Sequence, residues 1–317
     1  MGQLIGAIAG RLAQLAAMLL AVVLLCFAAM QALPGDKAVQ LAVARHGERA
    51  SDGGIDQARR DGGSDRSLAM QFLDWAGGLA RLDLGHSLVS RKPVIDELAP
   101  RLRVTLIAGA LSVLLGLAIG LPLGLWAGLR PGGVADAVVA VAAAVLSAVP
   151  AFLLGLLLVM LFAIRLGVLP AAGSGSAWHW ALPVLTLALG FAAPLARVTR
   201  QAVVEAWGSF AVTFGRLKGL SPARAGWRHG ARNAAIPVVM LTGLRFAAVI
   251  EGFAVIETLF NLPGLGDLLV RARVARDIPT VQAAALLFGL IYRVIGLLLD
   301  AACAAIDPRR RLRVRPA

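Results

Sequence analysis

The stretch Thr213-Phe-Gly-Arg-Leu-Lys-Gly-Leu-Ser-Pro222, continued by Arg228-His-Gly-Ala-Arg-Asn233 and Ile236-Pro237, lies between two apolar segments and decides how the chain is read. From about Gln201 to Ala235 the sequence is polar enough to leave a bilayer, yet its punctuation is that of helices. Ser221 before Pro222 reads as an N-cap with proline at the first helical position, where no backbone donor is lost. Gly219 suits the stop of a short preceding helix. The pattern predicts helix, tight turn, helix. Such a stiff element, joined directly to two membrane-embedded rods, transmits a push that a flexible loop dissipates. The plainer alternative is an ordinary basic loop at the inner membrane face.

Outward from this stretch the chain is apolar. Hydrophobic residues make up 59% of it. Residues 12–33, 104–129 and 137–164 carry no charge, and each run exceeds the roughly 20 residues that a bilayer-crossing helix needs. Further apolar segments lie near 181–199, 236–257 and 281–305, the last two broken by Arg245, Glu251, Arg293 and Asp300. A soluble chain would show apolar faces at helical period with charges between them. That pattern is absent, so the expected fold is an all-α polytopic membrane protein with six transmembrane helices.

Arg11 ahead of the first apolar run is compatible with a cleaved signal, but the run is long for one and no convincing cleavage site follows Met30, which favours a retained anchor. Short loops set the orientation. With the N-terminus inside, inner segments hold Arg11, Arg130, Arg197, Arg200, Arg216, Lys218, Arg224, Arg228, Arg232 and the tail Arg309, Arg310, Arg311, Arg313 and Arg315. The short outer segments hold Arg165, Arg271, Arg273 and Arg276. Both termini are expected in the cytoplasm. This divides the chain into an anchor helix (1–33), an extracytoplasmic region (34–100), a five-helix core (101–308) containing the loop at about 201–235, and a basic tail (309–317). The 34–100 region is Gly-rich and mixed in charge, which predicts a flexible centre followed by short helices in Leu68 to Leu84.

The net charge of +13 does not point to nucleic acid, because the basic residues cluster at the ends of apolar spans. Cys26 and Cys303 fall inside expected spans and offer neither a disulfide framework nor a metal site. No phosphate-cradling Gly-x-x-x-x-Gly-Lys-Ser/Thr occurs, and Ser, His and Asp assemble no nucleophile constellation. His179, between Trp178 and Trp180, reads as an interfacial anchor. The chain is expected to be no enzyme and to bind no cofactor or metal of its own.

Within the second apolar run, Ala108, Ser112, Gly116, Gly120, Gly124 and Gly128 recur every four residues, a ridge of small side chains that lets helix backbones approach closely. It serves either packing within the subunit or a sliding, subunit-facing surface.

Lys218-Gly219-Leu220-Ser221, Arg228-His229-Gly230-Ala231-Arg232-Asn233 and Ile236-Pro237-Val238-Val239 resemble the cytoplasmic coupling loop of ABC importer permeases of the peptide, nickel and opine group, whose transmembrane domain is MetI-like. Leu33-Pro-Gly-Asp36, Asp83-Leu-Gly-His-Ser87, Glu257-Thr-Leu-Phe260 with Pro263-Gly-Leu-Gly266, and Asp307-Pro308-Arg309 are similar to further motifs of that group, in the same order.

The resemblance implies a type I ABC importer permease fold with a cytoplasmic coupling helix and an extracytoplasmic insertion after the first helix, in the bacterial inner membrane. It implies a second homologous permease, two ATPase subunits that hold ATP and magnesium, and an extracytoplasmic solute-binding protein. Thr213, Phe214, Gly215, Arg216, Lys218, Gly219, Leu220 and Ser221 would carry the docking element, although Thr213-Phe214-Gly215 replaces the Glu-Ala-Ala of the broader superfamily. Glu257 and Asn261 would lie at the outer gate region. Cargo is implied to be peptides, or else nickel or other metal chelates, or opines.

Glu251 and Arg293 are costly in lipid. They are expected to face the bundle interior, either paired with each other or lining the path, and Asp300 matches a family acid. An ion-coupled secondary transporter or a non-transporting scaffold would explain an apolar chain too. The first calls for internal repeats, which are not evident, and the second has no need of the ordered cytoplasmic element.

Overall fold

The computed structural model describes residues 37–46, 51–61, 67–81 and 83–306, with isolated positions between 17 and 28; for some of these, 247–251 among them, only the backbone is described. Most of the anchor at 12–33, with Cys26, and all of the Leu33–Asp36 and Asp307–Arg309 motifs and the tail are outside those residues. In chain order the helices are α1 (Lys37–His46), α2 (Asp52–Asp61), α3 (Leu68–Ala80), α4 (Val94–Leu129), α5 (Val134–Ala148), α6 (Ala151–Leu158, continued by a π-helical stretch Val159–Arg165), α7 (Ala181–Trp207), α8 (Phe210–Leu217), α9 (Pro222–Ala225), α10 (Ala231–Leu259), α11 (Leu265–Val274) and α12 (Ile278–Ile306). The chain divides into two compact units, Met1–Thr105 with Pro263–Arg293, and Leu106–Leu262 with Val294–Ala317.

In the first unit, α1 and α2 pack through Ala38, Leu41, Ala42 and Ala58, with Leu88 and Val89 against them. The expected flexible centre is therefore partly helical. Asp52 in the first turn of α2 and Arg59 and Arg60 in the last complement the helix dipole and offset the cost of its glycines. α3 starts at Ser67, whose Oγ accepts the Met70 N–H, and supplies the helix expected from Leu68 onward.

The start of α4 packs through Val94 and Leu98 against Leu265 and Leu268 of α11 and Ala283 and Ala284 of α12. Buried Asp277 fastens this unit. Its carboxylate accepts the Ser87 hydroxyl at 2.5 Å, the Leu88 N–H at 2.9 Å and the Thr280 hydroxyl at 2.8 Å. The Asp83–Ser87 motif is thereby tied to the start of a helix far away in sequence.

The second unit is built on α4, α7 and α10. A methyl group added at Gly116, Gly120, Gly124 or Gly128 would lie 3.0, 2.8, 2.6 or 2.9 Å from the carbonyl oxygen of Ala188, Ala192, Ala196 or Arg200. Each step of four on α4 matches a step of four on α7, so these two helices run parallel. The ridge is packing within the subunit, which decides between the two readings left open above. α10 runs antiparallel to α7: Gly230 sits on Ala206 at one end, and Gly252 approaches Leu187 at the other. Phe191 and Leu195 of α7 pack between these contacts, with Val113 of α4 and Val238 and Leu241 of α10.

The run at 137–164 is not one straight span. α5 and α6 meet at 104°. Pro150 holds φ −58° and Val149 before it is extended, because proline's ring disfavours the helical conformation in the preceding residue. Among the described residues, three helical stretches are long and apolar enough to cross a membrane, Val94–Leu129, Ala177–Trp207 and Ile278–Cys303, and the bent α5–α6 pair adds a fourth if it counts as one span.

Candidate functional site

The link between α7 and α10 is a helical hairpin whose every turn has a local cause. α8 begins after Ser209, whose backbone is extended and whose hydroxyl donates to the Ala206 carbonyl at 2.7 Å. It stops at Lys218 because Gly219 turns left-handed at φ +90°. The Gly219 N–H then donates to the Arg216 carbonyl at 2.9 Å and the Leu220 N–H to the Gly215 carbonyl at 3.2 Å, the paired bonds of a Schellman stop. Two residues later Ser221 Oγ accepts the Arg224 N–H at 3.4 Å and Pro222 opens α9. The stop and start signals read from Gly219 and Ser221-Pro222 are both in place. Gly226–Gly230 is a π-helical turn that feeds α10 without a loop.

One face of the hairpin is fastened to the end of α7. A methyl group at Gly226 would collide with the Trp207 indole, and Gly230 lies against the same ring and the Ala206 carbonyl. Trp227 meets Trp207 edge to face, with ring centroids 5.8 Å apart. Gly215 lets α8 approach His229, and Val212 and Ala225 are buried beside it. Gly226 above all lets the hairpin sit close on Trp207, where a Cβ would hold it off.

The other face is bare. Phe210 and Leu217 are each 80% exposed and Phe214 is 46% exposed. Their spacing of four and three places them in one stripe along α8. Phe210 and Phe214 stack at 6.0 Å, and Lys218 Nζ sits 4.5 Å from the Phe214 ring centre, a cation over an aromatic face. Trp227 is also exposed.

Of the residues singled out from sequence, Phe214, Arg216 and Lys218 present side chains outward. Thr213 is exposed, with its hydroxyl donating to the Ser209 carbonyl at 3.2 Å. Gly215 is buried, Leu220 is half-buried, and Gly219 and Ser221 shape the turn. Sequence reasoning missed Phe210 and Leu217 on the bare face, and Trp207 with its neighbour Trp227 at the fastened one. The Phe210/Phe214/Leu217 stripe carried a legible signal, whereas the Trp207–Gly226 contact spans a turn whose path only the fold supplies.

At the far end of α10, Glu257 and Asn261 belong to one stop. Asn261 is left-handed at φ +51°, the Leu262 N–H donates to the Glu257 carbonyl at 2.8 Å and the Asn261 N–H to that of Thr258 at 3.3 Å. Glu257 is fully buried. The Phe260 carbonyl accepts the Gly173 N–H at 2.8 Å. Arg293 is half-buried on α12 and Asp300 is exposed. The side chain of Glu251 is outside the described residues, so the expected pair with Arg293 is not defined. Among the described residues no cluster of His, Cys, Asp and Glu could hold a metal ion.

Residues 120–312 match the family described as binding-protein-dependent transport system inner membrane component. The chain is 37% identical over 301 residues to the glutathione transport system permease protein GsiC of Escherichia coli K12, covering 95% of this chain and 97% of the relative. It is 38% identical to the protein of the same name from Pectobacterium atrosepticum, with the same coverage. Among solved structures, an inward-facing conformation of the MetNI methionine ABC transporter superposes with a TM-score of 0.52 at 17% identity, over 68% of this chain and 98% of that one. That likeness is one of fold.

Proposed function

The chain belongs to the family of binding-protein-dependent transport system inner membrane components and is the permease subunit of an ABC importer, and we propose that its α7–α10 hairpin is where a partner ATPase delivers force. The observation that carries this reading is the contrast between the two faces of the hairpin. One is fastened to α7 through Trp207, and the other shows Phe210, Phe214 and Leu217 to solvent. An exposed apolar stripe on a soluble element marks a partner contact. Because α9 runs through the π turn into α10 and α8 is only two residues from α7, a displacement of α8 reaches both long helices.

The rest of the machine follows from this reading. Two ATPase subunits hold ATP and magnesium, and this chain binds neither. A second homologous permease completes the translocation path, and an extracytoplasmic protein delivers the solute. Thr213, Arg216 and Lys218 flank the apolar contact. Glu257 and Asn261 stand at the outer gate, and Glu251 and Arg293 either pair or line the path. Six spans, with both termini in the cytoplasm, fit the parallel course of α4 and α7. Parallel membrane helices need an odd number of crossings between them, which the bent α5–α6 pair provides as one span. Names of the relatives favour peptides, and glutathione in particular, as cargo.

The test is co-purification. Phe214→Glu puts a charge in the middle of the stripe without touching the buried face. It is expected to reduce recovery of the ATPase subunits at least tenfold, about 1.4 kcal/mol, with vanadate-sensitive uptake falling in parallel. Full recovery of ATPases with this variant removes the hairpin as the docking site.

A further inference from the structure

A cleft in the second unit, about 770 Å³ in volume, opens between the start of α5, the middle of α7 and the middle of α10. Its size is within the roughly 300–1,000 Å³ of small-molecule sites. Its lining is strongly cationic: Arg197 and Arg200 from α7 and Arg245 from α10, with Asp136 of α5 as its one acid. Asp136 is already committed. Its carboxylate accepts Arg200 Nε at 2.9 Å and Nη2 at 2.7 Å, and the Gly132 N–H at 2.9 Å. This two-pronged clamp fixes Arg200 and leaves no acid among the described lining residues for Arg197 and Arg245. Neither of these two makes a hydrogen bond or ion pair with a described residue, and both are exposed.

Two guanidinium groups at one cleft with no described partner call for water or an anion, because lipid around them is costly. Resting on the permease reading, we propose that this cleft is an anion site on the translocation path, in which Arg197 and Arg245 receive the carboxylates of an acidic peptide cargo. Guanidinium suits that role, since its planar fork matches a carboxylate and stays charged at any physiological pH. The alternative source of an anion is a phospholipid headgroup at the inner membrane face. Arg245 is the central residue of the 29-residue α10, roughly 21 Å along the helix from its hairpin end. Gly132, Arg197 and Arg200 instead lie toward the inner face on the charge reading, so the lipid arm of the binding experiment separates the two sources. Pro194 also lines the cleft and removes one backbone hydrogen bond from α7 at the same level, which loosens the wall that carries Arg197.

The assembled transporter, purified without nucleotide, is tested by equilibrium binding of two radiolabelled probes, glutathione and the dipeptide Glu-Glu, each compared with its fully amidated form. Arg197→Gln with Arg245→Gln is expected to weaken binding of at least one acid form tenfold or more and to leave the amidated forms unchanged. Arg197→Lys with Arg245→Lys, which keeps the charge, is expected to stay within about threefold of the unsubstituted complex, so that a folding defect cannot imitate the result. The measurement is made in nanodiscs of phosphatidylcholine and again with phosphatidylglycerol. Competition by the anionic lipid assigns the cleft to headgroups and overturns the proposal. Failure of the unsubstituted complex to bind either acid probe, or equal binding by the Gln variant, overturns it as well. Co-purification of ATPases with the unsubstituted chain is scored separately and reports on the importer reading alone.

Discussion

The glycines of α4 and those of the hairpin do similar work for different ends. On α4, Gly116, Gly120, Gly124 and Gly128 bring one membrane helix onto the backbone of another, and the contact is complete within the chain. In the hairpin, Gly215, Gly226 and Gly230 also permit close approach, but they fasten one face so that the opposite one, with Phe210, Phe214 and Leu217, stays bare. Buried small residues thus mark a contact the chain makes with itself, and the exposed apolar stripe of α8 is, on the proposed reading, one that it leaves for a partner.

The largest effect is expected on the α4 side. Gly124→Leu forces a side chain onto Ala196 and Thr199 of α7, where backbone cannot yield, at a cost of about 3 kcal/mol. Thermal denaturation and size-exclusion chromatography in detergent should show a destabilised, polydisperse protein. Gly190→Ala on α7, with open space around it, serves as the control and should be neutral or slightly stabilising. Equal behaviour of the two variants would break the comparison.

In the hairpin the expected loss is of coupling before fold. Gly226→Ala displaces the hairpin from Trp207, and uptake should fall about tenfold, roughly 1.4 kcal/mol, while the protein remains monodisperse. Trp207→Leu in the same chain makes room for the methyl group and should recover part of the uptake. No recovery would mean that Gly226 matters for another reason. The smallest effect belongs to the turn. Gly219→Ala keeps every contact but places a Cβ at φ +90°, for about 1 kcal/mol, readable as a modest drop in melting temperature.

Much of the hairpin was legible in advance because its signals are local. Gly219, Ser221 and Pro222 each act through backbone geometry within a few residues, so the stop and start could be read directly. Phe210 lies outside the motif that begins at Thr213 and Leu217 lies within it, so only their helical spacing with Phe214 joins the three into one stripe. The bend between α5 and α6 was hidden for the opposite reason. Val149-Pro150 is a breaking signal, but its uncharged surroundings read equally well as one straight span.

By itself the sequence determined that this is a helical membrane chain with an ordered polar hairpin, because hydrophobic length and capping chemistry depend only on neighbours along the chain. The tertiary structure alone decided that the small-residue ridge is satisfied by α7, that Trp207 underlies Gly226, and that Asp136 claims Arg200 while Arg197 and Arg245 share its cleft. Those relations join residues from separate helices. Close packing and ion pairing act over a few ångströms of space, whatever the distance in sequence.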